Sequence, residues 1–297
     1  MQHNFLNLPE KLSNYDFAKV VVLPIPFEAT VTYGKGTAKG PAAIIEASAQ
    51  VEFYDREFDC EPIDEFGIHT LSEFKIPSSP EEVTKRIYEA VIFYIKAGKF
   101  VVGLGGEHSI SAGLVKAQAD ISKEPITIVQ IDAHSDLRDS YEESENNHAC
   151  VARRFLENKN VEQILQFGIR SISTEEMEFI RRNPKRIKTW FAEDTESADW
   201  QNEFISRISG KKVYLTFDVD GLDPSVVAAT GTPEPGGLSW LKTLEIIRVL
   251  TDAAELIGFD CVELAPVHGM HASEYAVAKL VYKVLAIKYN KVNIQNG

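Results

Sequence analysis

Residues 125–136, Pro-Ile-Thr-Ile-Val-Gln-Ile-Asp-Ala-His-Ser-Asp, constrain this chain more than any other stretch. The β-branched run at 126–131 predicts a buried strand. Asp132, His134 and Asp136 follow it in alternation, and continued extension would turn all three toward one spot. Two carboxylates and an imidazole at one spot are costly unless a cation sits among them. Taken alone the block reads equally well as a solvated acidic loop. The rest of the chain decides between the two.

Strand and helix signals alternate along the whole sequence. Short apolar, β-branched runs occur at 18–24, 100–104, 126–131, 164–169, 187–190, 212–217 and 256–264. Between them, helical spacing is predicted over 40–51, 79–97, 109–119, 148–158, 174 onward, 199–209, 238–251 and 272–289, with Pro41, Ser79 and Thr174 as start signals. No linker or repeat interrupts the pattern. The prediction is an α/β fold, one domain over 1–297 with a doubly wound, mostly parallel sheet, and residues 1–16 as an N-terminal extension that leaves His3 in a loose tail. Sheets of this kind bind ligands beyond the carboxyl ends of their strands.

Composition narrows the function classes. The 44 acidic residues outnumber the 31 basic ones, giving a net charge of −13, which argues against a nucleic-acid surface and suits a cationic ligand. Lys96 and Lys99 interrupt the most apolar region, so no membrane span is expected. Cys60, Cys150 and Cys261 are isolated, with no Cys-x-x-Cys, and the N-terminus lacks a secretion pattern; the expectation is a reduced, cytoplasmic protein.

Two more strand ends carry ligand-type residues. His108 follows Gly105-Gly106-Glu107, where glycine permits a tight turn. Asp218 and Asp220 lie two apart after 212–217. Two imidazoles and four carboxylates without a thiolate form a hard, oxygen-rich donor set, with four negative charges to neutralise. Two divalent cations about 3.5–4 Å apart would do so. Mn²⁺ suits such donors best, two ions per subunit.

Three blocks resemble the ureohydrolase family of arginase and agmatinase: Gly-Gly-Glu-His at 105–108, Asp-Ala-His-Ser-Asp at 132–136 and Asp-Val-Asp-Gly-Leu-Asp-Pro at 218–224. The loop Thr-Gly-Thr-Pro-Glu-Pro-Gly-Gly-Leu at 230–238 is similar as well. The resemblance implies an arginase-like three-layer αβα fold assembled as trimers or hexamers. It also implies one manganese held by His108, Asp132, Asp136 and Asp218, and a second held by Asp132, His134, Asp218 and Asp220. Asp132 and Asp218 would bridge.

On that reading, the ion pair lowers the pKa of a bridging water, and the resulting hydroxide attacks a guanidinium carbon. Asp136 would hold the nucleophile's proton, and His148 would shuttle one to the leaving amine. Glu263 would pair with the guanidinium through two parallel hydrogen bonds. Glu107 is expected to support His108, or else to serve as an acid at a helix start. His268 and His271 follow the Glu263 strand near the pocket wall.

The expected substrate is agmatine, cut to putrescine and urea. Arginase-like sequences carry Asn where Arg138 stands, and an acidic Asp-Val-Asp where Ser171-Ile172-Ser173 stands. Residues 26–37, 136–141 and 148–150 are similar to the agmatinase branch. Arg138, Tyr141, Glu142 and Glu143 are the candidate contacts to the tail. Alternatives are aminopropylagmatine, guanidinobutyrate, guanidine, formiminoglutamate or arginine as substrate. A dinuclear phosphoesterase using Arg138 and Arg170, and a non-catalytic regulatory homologue, are the readings from other classes.

Overall fold

Strands β1 (Val20–Ile25), β3 (Phe100–Gly105) and β4 (Ile126–Ile131) are buried at every position. A strand covered on both faces belongs to a parallel sheet between two helical layers. The computed structural model, which describes residues 4–77 and 79–290, has this arrangement. With β2 (Ile68–Thr70), β5 (Val161–Ile169), β6 (Ile187–Phe191), β7 (Lys212–Asp218) and β8 (Glu255–Val262), the strands form one sheet ordered β2-β1-β3-β8-β7-β4-β5-β6. Every pairing is parallel.

The alternation of side chains sorts the core into two layers. Val129 and Ile131 of β4 pack with the helices Gly40–Ser48, Asp199–Ile208, Trp240–Ala253 and His271–Tyr289. Ile126 and Ile128 face the helices Pro80–Lys96, Ser111–Ile121 and Val151–Phe155. Helix starts follow side-chain caps. Ser79 accepts from Glu82 N, Ser239 accepts from Lys242 N, and Ser173 and Glu176 form a reciprocal capping box.

The order of the strands matters more than their number. The chain leaves β3, skips two positions and returns as β4; β8 and β7 later fill the gap. The carboxyl ends of β3, β8, β7 and β4 thus become neighbours, the crevice position for a ligand in an open parallel sheet.

Two expectations need correction. Phe5, Leu6, Leu8 and Leu12 are buried in the first layer, so the described part of residues 1–16 packs as core; His3 lies outside the described residues. The helix expected over 148–158 is a 3₁₀ turn, His148–Cys150, followed by a short α-helix, Val151–Phe155. Among the described residues no helix is long and apolar enough to cross a membrane.

An ion network closes the first layer at a distance from the crevice. Lys283 donates to both oxygens of Asp55 (2.9 and 2.7 Å), and Arg248 grips both oxygens of Glu57 (2.6 and 2.7 Å). The bidentate bond from Arg248 is the main reason the Glu57 carboxyl sits at about 2; burial opposes it and Lys283 adds to it. A depressed carboxyl pKa stabilises the fold above the unfolded-chain value and loses that contribution as pH falls toward the folded value. Glu57→Gln should therefore lower Tm at neutral pH, and the gap to the parent should narrow between about pH 5 and 2. Thermal scans across that range check it.

Candidate metal centre

The crevice collects its polar groups from four strand ends. After β3 the chain turns at Gly106, where a Cβ would sit 2.0 Å from the Phe27 carbonyl oxygen, and presents His108. After β4 come Asp132, His134 and Asp136. After β7 come Asp218 and Asp220, and β8 ends at Glu263.

His108 is buried, and its Nδ1 lies 3.0 Å from Asp136, 3.2 Å from Asp132 and 3.5 Å from Asp218. His134 Nδ1 lies 3.0 Å from Asp220 and 3.7 Å from Asp132. His108, Asp132 and Asp136 form one group whose ligating atoms lie within 4.8 Å of one another; Asp132, His134 and Asp220 form another. Asp132 belongs to both. Asp218 gives one oxygen to the N–H of Asp220 (2.9 Å) and turns the other toward His108.

The expectation that Asp132, His134 and Asp136 share one spot through simple extension is corrected here. Asp136 adopts a left-handed backbone, φ +54. It swings back with Asp132 toward His108, while His134 turns to Asp220. Such a conformation costs of order 1–3 kcal/mol in a non-glycine residue and needs support. Glu176 supplies it: the carboxylate that caps the helix Thr174–Arg182 also accepts from Leu137 N (3.0 Å). Glu263 is left-handed too, φ +66, held by Glu263 N donating to Gly106 O and by its carboxylate accepting from His108 N, both 2.7 Å.

The electrostatics are those of a crowded acidic site. Burial, then the charges of Asp136 and Asp220, pushes the Asp132 carboxyl up to about 7. Burial, then Asp220 and Asp132, raises Asp218 as well. Burial opposes protonation of His134, but its bond to Asp220 and the surrounding carboxylates carry it to about 10. Burial of Asp220 is outweighed by His134, which holds that carboxyl at about 2. Buried carboxylates crowded in this way favour a cation among them.

A chain of polar side chains behind His108 fixes its ring. Nε2 lies 2.8 Å from Thr216 Oγ1; Thr216 donates to Asp260 Oδ1 (2.8 Å), and Tyr214 donates to Asp260 Oδ2 (2.7 Å). Because the Thr216 proton is committed to Asp260, Nε2 carries the ring hydrogen and Nδ1 offers a lone pair. That Nδ1 is buried and has no hydrogen-bond partner, which fits a cation held between it and the carboxylates. Asp132 is held in the same way. Gln130 donates to it (2.8 Å), Gln166 donates to Gln130 (2.9 Å), and Thr189 donates to Gln166 (2.8 Å).

These supports carry no signal in the sequence, and of the two expectations for Glu107 the structure favours the acid at a helix start: Glu107 stands at the N-cap of the His108–Ile110 turn. The Glu107 carboxylate does not touch the His108 ring; it accepts from Ala29, Thr30 and Ser109. Arg170 is no phosphate ligand. Its guanidinium donates to the carbonyls of Gly168 (2.9 Å), Asp220 (2.6 Å), Glu234 (2.7 Å) and Pro235 (3.1 Å), which locks the 220–237 loop behind Asp220.

Above the centre opens a cavity of about 280 Å³. Arg138, Tyr141 and His148 line it, with the Arg138 guanidinium 4.9 Å from the centre of the Tyr141 ring. Asp136, Glu176, Asp218, Asp220 and Glu263 also line it, five carboxylates against one guanidinium. Glu142 and Glu143 are exposed and do not line the cavity, nor do His268 and His271, which are exposed as well.

The arginase-family model matches residues 18–286. The chain belongs to the arginase family. It is 43% identical to the N(1)-aminopropylagmatine ureohydrolase of Synechocystis, over 93% of this chain and 91% of that one. It is 34% identical to the agmatinase of Pyrococcus horikoshii, over 91% and 92%. The agmatine ureohydrolase of Thermoplasma volcanium superposes with a TM-score of 0.85 at 30% identity, covering 97% of this chain and 94% of that one. This arginase-family chain is thus a ureohydrolase of the agmatinase type, a hydrolase of guanidino C–N bonds.

The support behind His108 gives a test. Thr216→Val keeps the shape, strips the ring of its acceptor and leaves Asp260 short of a donor. Partners of this kind are worth about 10- to 100-fold in metal affinity. Manganese titration by calorimetry should show a loss of that size in a variant that still folds.

Proposed function

We propose that this protein is a manganese-dependent ureohydrolase whose preferred substrate is N(1)-aminopropylagmatine, with agmatine as a poorer one. The observation that carries the reading is the pair of overlapping His/Asp groups at the floor of a cavity walled by acids. His108, Asp132, Asp136 and Asp218 would hold one ion, and Asp132, His134, Asp218 and Asp220 the other. Oxygen-rich donors with one imidazole per group suit Mn²⁺. A divalent pair supplies activation of water near neutral pH.

The side chains of the cavity supply the rest. Glu263 binds the guanidinium. One of its oxygens already accepts from His108 N–H, so its remaining lone pairs receive the substrate's N–H groups. Asp136 takes the proton of the attacking water. The C–N bond of the tetrahedral adduct breaks to release urea, and His148 protonates the departing amine nitrogen. Arg138 and Tyr141 stack at the cavity wall and bound the space for the tail.

Support for the longer tail comes from relatives and from charge. The Synechocystis relative is named for aminopropylagmatine and is more similar than the Pyrococcus agmatinase. An aminopropyl extension adds a cation, and of the five lining carboxylates Glu176 is the one assigned neither to the ions nor to the guanidinium. The same lining disfavours a phosphoester, for which only Arg138 among the lining residues carries a fixed positive charge.

Urea release after Mn²⁺ loading tests the assignment. Aminopropylagmatine should exceed agmatine in kcat/KM by about tenfold, the equivalent of ~1.4 kcal/mol of tail recognition, and arginine should be inert. Faster turnover of arginine overturns the reading. Glu263→Gln should keep both ions yet lose about 100-fold or more in turnover, measured beside metal content by mass spectrometry. Undiminished turnover removes Glu263 from substrate binding.

A further inference from the structure

The loop 27–33 lies between β1 and the helix Gly40–Ser48 and is itself neither strand nor helix, yet it holds the one lining histidine of the cavity, among the described residues, that lies outside the two ligand groups. Glu107, fully buried, accepts four hydrogen bonds: from Ala29 N (2.5 Å), Thr30 N (2.6 Å), Thr30 Oγ1 (2.8 Å) and Ser109 Oγ (2.5 Å). Thr30 Oγ1 in turn lies 3.0 Å from the backbone N and 3.0 Å from the ring Nδ1 of His148.

The hydrogens of this chain can be assigned. A threonine hydroxyl has one proton to give and two lone pairs. Its proton goes to the Glu107 carboxylate, the stronger acceptor. One lone pair receives His148 N–H. The other faces Nδ1, which must therefore carry a hydrogen. We infer that Glu107 and Thr30 are positioning residues that hold His148 as its Nδ1–H tautomer, so that Nε2 alone exchanges protons with the cavity. The inference rests on the reading of His148 as proton donor to the leaving amine. It also explains why Glu107 is spent on a loop and not on the adjacent His108 ring. The donor form is the imidazolium: with Nδ1–H held on Thr30 it gives up its proton at Nε2 and is left as the Nδ1–H tautomer, whereas an imidazole left in the other tautomer keeps its hydrogen at Nε2 and loses that acid–base cycle. The edge of Tyr141, with ring centres 6.4 Å apart at 85°, limits rotation from the other side.

Thr30→Val removes the acceptor and keeps the shape; Thr30→Ser restores it. In the Mn²⁺-loaded enzyme, Thr30→Val should lower kcat for urea release by about 10- to 100-fold with KM nearly unchanged, and Thr30→Ser should recover most of the loss. In a His148→Ala background, Thr30→Val should have no further effect, because both changes disable one unit. A readout independent of turnover is the imidazole ¹⁵N spectrum of the protein loaded with diamagnetic Zn²⁺, which should show a protonated Nδ1 for His148 in the parent and Thr30→Ser proteins and a mixture of tautomers in Thr30→Val. Full activity of His148→Ala overturns the donor role of His148, and the inference with it. A damaging His148→Ala beside a harmless Thr30→Val, equal Thr30→Val losses in both backgrounds, or an unprotonated Nδ1 in the parent overturns the positioning role alone.

Discussion

Repulsion among buried carboxylates is the constraint around which this molecule is built. Asp132, Asp136, Asp218 and Asp220 converge in one crevice, all buried. Two unit charges of like sign about 4 Å apart cost about 4 kcal/mol at an effective dielectric of 20. The fold tolerates this because three of the four acids have fixed hydrogen-bond donors, and Asp136 lies 3.0 Å from His108 Nδ1. Asp132 accepts from His134 N and Gln130, Asp220 from Ala133 N, and Asp218 from Asp220 N. What those partners leave over is a demand for cations, which two imidazoles meet only in part.

The supports lie on one level of the sheet. Thr189, Gln166, Gln130, Thr216 and Asp260 occupy matched register positions on β6, β5, β4, β7 and β8. One pleat further along stand Asp132 and Asp218. A polar rung thus crosses five strands directly beneath the acidic crevice. Fully satisfied buried networks of this kind fix orientation, because every member has a single low-energy arrangement. The same rung explains how His108, after β3, and Asp132, after β4, keep a constant relation with two strands between them.

Much of this could be read from the chain. β-branched runs marked the strands, Ser79 and Thr174 marked helix starts, and the 105–108, 132–136 and 218–224 blocks marked the ligands. The structure gathers all six proposed ligands at the crevice, with Asp132 common to both groups. Other features were hidden for physical reasons. Gln130, Gln166, Thr216 and Asp260 sit in runs that scan as apolar strands, and only pairing across the sheet reveals them as one row. Left-handed Asp136 and Glu263 carry no glycine signal, since their conformation is imposed by Glu176 and Gly106 from elsewhere in the sequence. Phe5 to Leu12 looked like an extension because their partners lie further along the chain, on the helix Gly40–Ser48, on β2 and on the short helix Ile63–Phe66. The identity of the tail contacts stayed open because they lie on loops, where sequence pattern is weakest.

The central claim is that the acidic crevice exists to hold two ions through a shared aspartate. Anomalous diffraction at the manganese edge, from crystals grown with Mn²⁺, tests it most directly. The account predicts two peaks about 3.5–4 Å apart, both within bonding distance of Asp132 and flanked by His108 and His134 respectively. A single peak, or density away from Asp132, would contradict it.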